Sequence, residues 1–259
     1  MISALVNIAP DEGHESRLQA AIALVRARGG HITCVQMMSD IPATTDPGDP
    51  TTEAEMLIEM EDVAREFQRS VEAALEGSGV GWTWQRFYGD PATILIERSR
   101  FADVIVMSTD SSFPPISSVA LHTRTPFLAV PHNPNFIPGR SALIAWNGSA
   151  PAANAVHGAM PLFDDRQPVH VLCVDHEDER FPASLVQQYL LEHHIESDIH
   201  WRPSDGKAVA EAIVERAGEM ESGIIVAGAF GHNHLREMLL GSVTRQLMEK
   251  SSRPLFLSH

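Results

Sequence analysis

The sequence is poor in positive charge. Its 259 residues contain 19 Lys and Arg against 34 Asp and Glu, which gives a formal net charge of -15. Proteins that bind nucleic acid need a basic face for the phosphate backbone, so this balance argues against a nucleic acid as a partner. A small phosphate ligand is not excluded, because backbone N–H groups can hold a phosphate locally inside an acidic field.

Long apolar segments are also lacking. No stretch reaches the roughly 18 uncharged apolar residues that a membrane span requires. The first residues, MISALVNIAPDEGHES, have no Lys or Arg before their apolar run and turn acidic at once, unlike a secretory signal. We therefore expect a cytoplasmic protein with no membrane partner.

Cysteine is scarce, and the histidines are not spaced as zinc ligands. Cys34 and Cys173 both lie in apolar runs and no Cys-x-x-Cys pair exists, which predicts two buried reduced thiols without a disulfide framework. The adjacent histidines at 193–194 and the pair in HNH at 232–234 do not match a structural zinc pattern. We expect solvated or loop histidines there and no metal site.

The two halves of the chain repeat one pattern. A helix-like segment ends in Glu-Arg, an apolar strand follows, a loop leads to Ser-Val, and a Pro precedes a last short strand. The halves also open alike, with SALVNIAPDEG from Ser3 and SALIAWNGSAP from Ser141. The Pro- and Asn-rich segment 131–140 is typical of a linker. We predict two domains, residues 1–133 and 139–259.

The second half alternates predicted strands and helices. Strands are predicted near 142–146, 169–174, 198–201, 223–227 and 255–257, with helices near 150–162, 181–193, 207–217 and 241–250. Nearly continuous apolar runs in the second and fourth strands are typical of parallel strands covered on both faces. The pattern predicts an α/β tandem repeat of two doubly wound, open, parallel five-stranded sheets.

The first half follows the same pattern with one insertion. SDIPATTDPGDPTTEAEM, residues 39–56, is rich in Pro, Thr and Asp and is predicted to be a surface loop. The helix that follows, near 53–75, is amphipathic and acidic, as expected of a solvated outer helix.

The loop after the fourth strand of the second half carries the strongest functional pattern. Gly228 and Gly231 leave the strand in VAGAFGHNHLREMLLGSVT, nine residues follow, and Gly241-Ser242 opens the next helix. Glycine permits positive φ and close backbone approach, and the first N–H groups of a helix favour negative charge. The pattern predicts a phosphate cradle that is neither a Walker A loop nor a Rossmann glycine fingerprint.

This Gly-x-x-Gly, nine-residue, Gly-Ser pattern resembles the nucleotide motif of the ATP-binding universal stress proteins, whose fold is adenine nucleotide alpha hydrolase-like. The resemblance covers the whole second half and, through the repeat, more weakly the first. It implies an ATP, ADP or AMP ligand, with or without Mg²⁺. The residues that it implies in binding are Asn147, Val174, Gly228, Gly231, Gly241, Ser242, Val243 and Thr244.

Two positions depart from that family pattern. Asn147 stands where the family has Asp, so it can hydrogen-bond but carries no charge for a metal or ribose contact. Phe230 stands where the family often has His, and we interpret it as a packing residue. Arg236 and Arg245 could contact phosphates or be surface residues. Asp175, with the histidine after it, could face a ribose or be a plain loop residue.

The equivalent loop of the first half, MSTDSSFPPISSVA, has lost the glycines. Ser108 and Ser111 stand where Gly228 and Gly231 stand, and Asp110 adds negative charge. Side chains would occupy the space that phosphates need, so we predict that this half does not bind ATP in the same way.

Three functions remain open. The first is a stress-response regulator that binds an adenine nucleotide in its second half, with slow or no hydrolysis. The second is an enzyme, at most a slow ATPase or a related transferase, for which no general base is evident. The third is a nucleotide-free interaction module. We also expect the halves to pair through their fifth strands, and two such chains could form a homodimer.

Overall fold

The structure, a computed structural model, describes residues 1–38, 50–111, 113–132, 140–163, 167–175, 178–229 and 242–259. The strands are β1 (Ile2–Ile8), β2 (Gly30–Met38), β3 (Gly81–Tyr88), β4 (Val104–Ser108), β5 (Phe127–Val130), β6 (Ala142–Ala145), β7 (Val169–Val174), β8 (Ser197–Arg202), β9 (Ile224–Gly228) and β10 (Leu255–Ser258). The helices are α1 (His14–Arg28), α2 (Pro50–Glu76), α3 (Pro91–Arg98), α4 (Ile116–Ala120), α5 (Ala150–Ala159), α6 (Ala183–Glu192), α7 (Val209–Glu219) and α8 (Ser242–Lys250).

The strands form one sheet with the order β3-β2-β1-β4-β5-β10-β9-β6-β7-β8. Counted within each half, both sets of five strands have the order third, second, first, fourth, fifth. Strands within a half pair in parallel, as the pairing of β1 with β2 and of β6 with β7 shows. The predicted fold class, two open five-stranded parallel sheets in tandem, is confirmed.

The two halves meet where β5 and β10 pair antiparallel, the one antiparallel pair among the described strands. Phe256 lies opposite Leu128, and Leu257 lies opposite Phe127. All four side chains are at most 1% exposed. The pairing joins the two parallel sheets into a single ten-stranded sheet, in which β3 and β8 are the outer strands.

Helices cover both faces of this sheet. Helices α1, α2, α5 and α6 contribute to the apolar core on one face, and α3, α4, α7 and α8 to the core on the other. A strand that is covered on both sides has no polar face, which explains the continuous apolar sequences of β4 and β9. Helices cover both faces of the sheet in each half, so the repeat in the sequence corresponds to a repeated structure.

Local sequence signals explain where several elements begin. The Ser149 side chain accepts a hydrogen bond from the Ala152 N–H at 3.3 Å and caps α5, as predicted. Helix α2 begins at Pro50 instead of near residue 53, because Pro fits the first helical turn. The predicted surface loop is therefore wrong over 50–56, while its part at 39–49, like linker residues 133–139, lies outside the described residues.

The outer face of α2 is more apolar than a solvated helix would be. Met56, Leu57, Ile58 and Val63 are all at least 36% exposed. The long helix is thus amphipathic as predicted, but part of its apolar surface faces solvent.

Both cysteines are buried and are not joined in a disulfide, as predicted. Burial, with a smaller contribution from the nearby Glu72 carboxylate, raises the pKa of the Cys34 thiol to about 12. That thiol is therefore protonated and unreactive at neutral pH. In the part of the chain that the structure describes, no helix has the length and apolar character that crossing a membrane requires.

The junction between the halves predicts a specific stability effect. Phe256→Ala should lower the free energy of unfolding by about 3–5 kcal/mol, because it empties a buried ring site next to Gly158 and Pro126. Urea denaturation followed by tryptophan fluorescence measures the effect. Phe101→Ala is the control: its side chain is 95% exposed, so a change within about 0.5 kcal/mol is expected. Equal losses for the two variants would contradict the burial of the junction.

Candidate functional site

Each half has one place where the strand order reverses. The connections from the first strand lead to one side and those from the fourth strand to the other, so a crevice opens between the carboxyl ends of these two neighbouring strands. In the second half these strands are β6 and β9, which pair with Ala145 opposite Ala227. In the first half they are β1 and β4. The fold thus offers two equivalent crevices, and the residues that follow these strands decide what each one holds.

In the second half, Asn147 follows β6 and forms a tight turn. Its Oδ1 accepts hydrogen bonds from the Ser149 N–H at 3.2 Å and from the Ser149 hydroxyl at 2.7 Å. Ser149 in turn caps α5. The Asn147 oxygen therefore holds the start of α5 in place, and its side-chain NH₂ group is the part that can donate to a ligand.

Gly228 ends β9 on the other side of the crevice, and the structure shows a reason for glycine there that was not expected. It is not among the glycines with positive φ. A Cβ at this position would lie 2.4 Å from the Ala152 nitrogen and 2.7 Å from the Pro151 carbonyl carbon. The first turn of α5 packs against the strand here, so the close approach that requires glycine is made by this chain's own backbone.

The amino end of α8 reaches the same edge of the sheet. Because β9 and β10 are parallel, the helix between them has to start near the carboxyl end of β9. Ser242 and Val243 are exposed in its first turn, whereas Thr244 is 4% exposed and belongs to the interior. The remaining predicted cradle residues, Gly231 and Gly241, lie outside the described residues, as do Phe230 and Arg236.

Val174 is half-buried at the end of β7 and packs against the core under α7. Asp175, directly after it, has a φ of 62°, and its Oδ1 accepts a hydrogen bond from the Ser204 N–H at 2.7 Å. This bond joins the ends of β7 and β8, which gives Asp175 a structural role in its loop. Arg245 pairs with Glu249 at 3.8 Å on the surface of α8.

One carboxylate near the crevice was not found from the sequence. Asp178 lies so close to Gly148 that a Cβ on the glycine, whose φ is 73°, would be 2.5 Å from the Cβ of Asp178. The pKa of the Asp178 carboxyl is below its usual value, and the largest cause is the hydrogen bond that it accepts from the Arg180 backbone N–H. An ionised carboxylate therefore lies beside the loop that carries Asn147.

The crevice of the first half is filled by an arginine. Arg17 of α1 is 1% exposed, and its Nε donates to the Asn7 carbonyl at 2.7 Å. Its Nη1 donates to the Ser108 hydroxyl, and its Nη2 to Asp11 Oδ2 at 2.9 Å. Ser108 ends β4 just as Gly228 ends β9. A guanidinium and a serine side chain thus occupy this crevice, in agreement with the predicted loss of phosphate space.

The sequence did contain a signal for Arg17. In HESRLQAAIALVRAR, buried positions include Leu18, Ala21 and Val25, and Arg17 stands one turn before Ala21 on the same helical face. A lone basic residue on a buried face needs a partner inside the protein. The identity of that partner, Ser108, becomes visible only when β4 is placed beside β1.

Residues 204–259 match the model of the Universal stress protein family. A universal stress protein from Archaeoglobus fulgidus DSM 4304 has a TM-score of 0.76 and 20% identity, over 99% of this chain and 96% of that one. A functionally unknown protein from Pseudomonas aeruginosa PAO1 has a TM-score of 0.62 and 16% identity, over 100% of this chain and 92% of its own.

A further universal stress protein, solved in complex with cAMP, matches 48% of this chain and 98% of its own length, with 19% identity and a TM-score of 0.34. No curated protein sequence matches this chain. From the family model, the C-terminal segment carries the sequence pattern of the universal stress proteins. From the Archaeoglobus fulgidus structure, the whole chain has their fold, as the resemblance predicted.

Arg17→Ala tests how the first crevice is filled. The variant should lower the free energy of unfolding by at least about 2 kcal/mol, because a buried carbonyl and hydroxyl lose a charged donor. Arg65→Ala serves as the control, since that side chain is 58% exposed in surface ion pairs and should matter by about 1 kcal/mol or less. Matching denaturation midpoints for the two variants would show that Arg17 is not held as described.

Proposed function

We propose that the second half binds one adenine nucleotide, ATP, ADP or AMP, at the crevice between β6 and β9. One observation carries this proposal: the two equivalent crevices differ, and Arg17 fills only the first-half crevice with a buried guanidinium. In the second half, Asn147 follows β6 and offers a hydrogen-bond donor. Gly228 ends β9 and has no side chain.

The direction of the nearby helix supports an anionic ligand. The first N–H groups of α8 have no partner inside the helix, and the helix dipole adds partial positive charge at the same end. Ser242 is exposed there and adds a hydroxyl donor. We propose that phosphate groups lie against this end, with Gly231, Gly241, Val243 and Thr244 completing the cradle, and that the adenine lies near Val174.

The proposed role is that of a stress-response regulator in the cytoplasm, with slow or no hydrolysis. Asn147 carries no charge, so the end of β6 supplies no carboxylate to position a metal or to act as a base. Asp178 lies nearby, but the Arg180 N–H occupies one of its oxygens at 2.8 Å. Mg²⁺ would therefore arrive with the nucleotide phosphates, and turnover would be at most that of a slow ATPase.

The division into domains at residues 1–133 and 139–259 stays a prediction and forms part of this proposal. Because β5 of the first half pairs with β10 of the second, each half has its fifth strand covered within one chain. We propose that the first half serves as a permanent partner for the nucleotide-binding half. A homodimer of such chains would then use other surfaces.

A nucleotide-free interaction module of the same fold is the second candidate, and Gly228 favours it. The packing of α5 alone explains why this position is glycine. In that case the loop glycines would be kept for folding, and the exposed apolar residues of α2 would be more relevant to function than the crevice.

A matched pair of variants tests the nucleotide proposal. Ser242→Tyr places a bulky side chain at the exposed start of α8, and Ser118→Tyr makes the same change at the equivalent Ser-Val of the first half. Isothermal titration with ATP, ADP and AMP, with and without Mg²⁺, should give one site per wild-type chain. Ser242→Tyr should weaken it at least tenfold, about 1.4 kcal/mol, and Ser118→Tyr should leave it unchanged.

Two results would contradict this expectation. A wild-type chain that binds no adenine nucleotide, either in titration or in the material released when the purified protein is denatured, would favour the interaction module. Equal weakening by the two tyrosine variants would mean that the nucleotide lies elsewhere.

A further inference from the structure

A group of metal-ligating side chains lies away from the nucleotide crevice, on β7 and β8 at one end of the sheet. It consists of His170 on β7 with Asp198 and His200 on β8, called here the His–Asp–His cluster. Their ligand atoms all lie within 4.8 Å of one another. In the parallel register His170 pairs with Asp198, and Leu172 with His200, so all three project on the sheet face that α7 covers.

One nitrogen of each imidazole lies at the distance expected for two ligands of the same metal ion. His200 Nε2 and His170 Nδ1 are 3.2 Å apart. Tetrahedral zinc with Zn–N bonds of about 2.0–2.1 Å separates its nitrogen ligands by roughly 3.3 Å. The Asp198 side chain is exposed and can rotate to bring a carboxylate oxygen to the same point. We propose that the His–Asp–His cluster binds a divalent transition-metal ion, with Zn²⁺ as the preferred biological ion and water completing its coordination.

The kinds of side chain in the cluster favour a transition-metal ion. Burial is the largest cause that lowers the pKa of His170 and of His200, and the Arg216 guanidinium lowers both further while Asp198 opposes the shift. A neutral imidazole has one nitrogen lone pair to offer to a metal. A set of two nitrogens and one carboxylate suits zinc, whereas Mg²⁺ and Ca²⁺ prefer oxygen ligands alone.

Arg216 of α7 competes with the metal. Its Nη2 lies 3.2 Å from His200 Nδ1, so the ring accepts from Arg216 and donates from Nε2 to His170. Zinc would take the place of the proton on Nε2 of His200. That proton would move to Nδ1, and the hydrogen bond from Arg216 to Nδ1 would be lost. The guanidinium keeps a partner, because its Nη1 is 2.8 Å from Glu219 Oε2. Arg202, on the same side, pairs with Glu219 at 2.8 Å and with Glu215 at 3.5 Å.

The equivalent strands of the first half, β2 and β3, lack the aspartate and the second histidine and therefore serve as a reference. The first half has His31 at the place of His170, three residues before the cysteine that both second strands share. His31 pairs in register with Gly81, and its ring is hydrogen-bonded to Thr83 at 2.5 Å. The same backbone thus forms with glycine and threonine at the other two places. The fold itself does not require an aspartate and a second histidine there.

Zinc binding should be measured on protein without an affinity tag, by competition with a chromogenic chelator and by the visible absorption of bound Co²⁺. The chain has 13 histidines, so the difference between variants identifies the site. His200→Thr and Asp198→Gly copy the residues that the first half tolerates and should therefore fold. His200→Thr should weaken the strongest Zn²⁺ site at least tenfold, since loss of an outer partner alone costs roughly 10–100-fold.

Two further variants separate coordination from a structural role. His31→Ala, at the equivalent place in the first half, should leave Zn²⁺ affinity unchanged. Arg216→Gln should tighten it, because the variant removes a competing charge and offers an amide oxygen to the Nδ1–H of a zinc-bound His200. Mg²⁺ should not displace Co²⁺ from the site. Wild-type protein without saturable Zn²⁺ binding, or with binding that His200→Thr leaves intact, would overturn the proposal.

Discussion

The antiparallel pair of β5 and β10 holds the two halves of the molecule together. Each half alone would leave its fifth strand at an open sheet edge, with unpaired N–H and C=O groups beside a buried apolar strand. Pairing them satisfies both edges and places Phe127, Leu128 and Phe256 in the interior of one ten-stranded sheet. The free edges move to β3 and β8, at opposite ends of the molecule. On each side of this junction the remaining four strands of one half continue the sheet.

The two halves differ in the residues that line their crevices and in those on their outer strands. The first half uses its crevice for stability: Arg17 reaches from α1 to the end of β4 and ties Asn7 to Ser108. The second half keeps a glycine at the end of β9 and an asparagine after β6. Its strands β7 and β8 also carry the His–Asp–His cluster, where the first half has His31, Gly81 and Thr83. Both proposed binding sites thus lie in the second half, on different pairs of strands.

Much of the fold could be predicted from the sequence because it depends on local patterns. The apolar run at 169–174 matches β7, and Ser149 with Pro151 identified the start of α5. The boundaries of α2 were less accurate, because Pro50 is as compatible with a loop as with a first helical turn. Repeat comparison also identified Ser108 as the counterpart of Gly228. These conclusions use neighbours in the chain, or the same position in the other half.

The sites were harder to predict because they depend on contacts between distant segments. The proximity of His170 and His200 follows from the register of β7 against β8, which periodicity does not determine. The contact between Arg17 and Ser108 requires β1 and β4 to be neighbours. Gly228 was expected to clear space for a ligand, and its contact with α5 could not be predicted from the sequence. In each case the residue was visible in the sequence, but its partner was not.

The most direct measurement of the difference between the halves is a crystal structure of the chain grown with a non-hydrolysable ATP analogue. We expect one nucleotide per chain, between the ends of β6 and β9 with its phosphates against the start of α8, and Arg17 still bonded to Ser108. A nucleotide in the first half that displaces Arg17, or one in each half, would contradict this expectation.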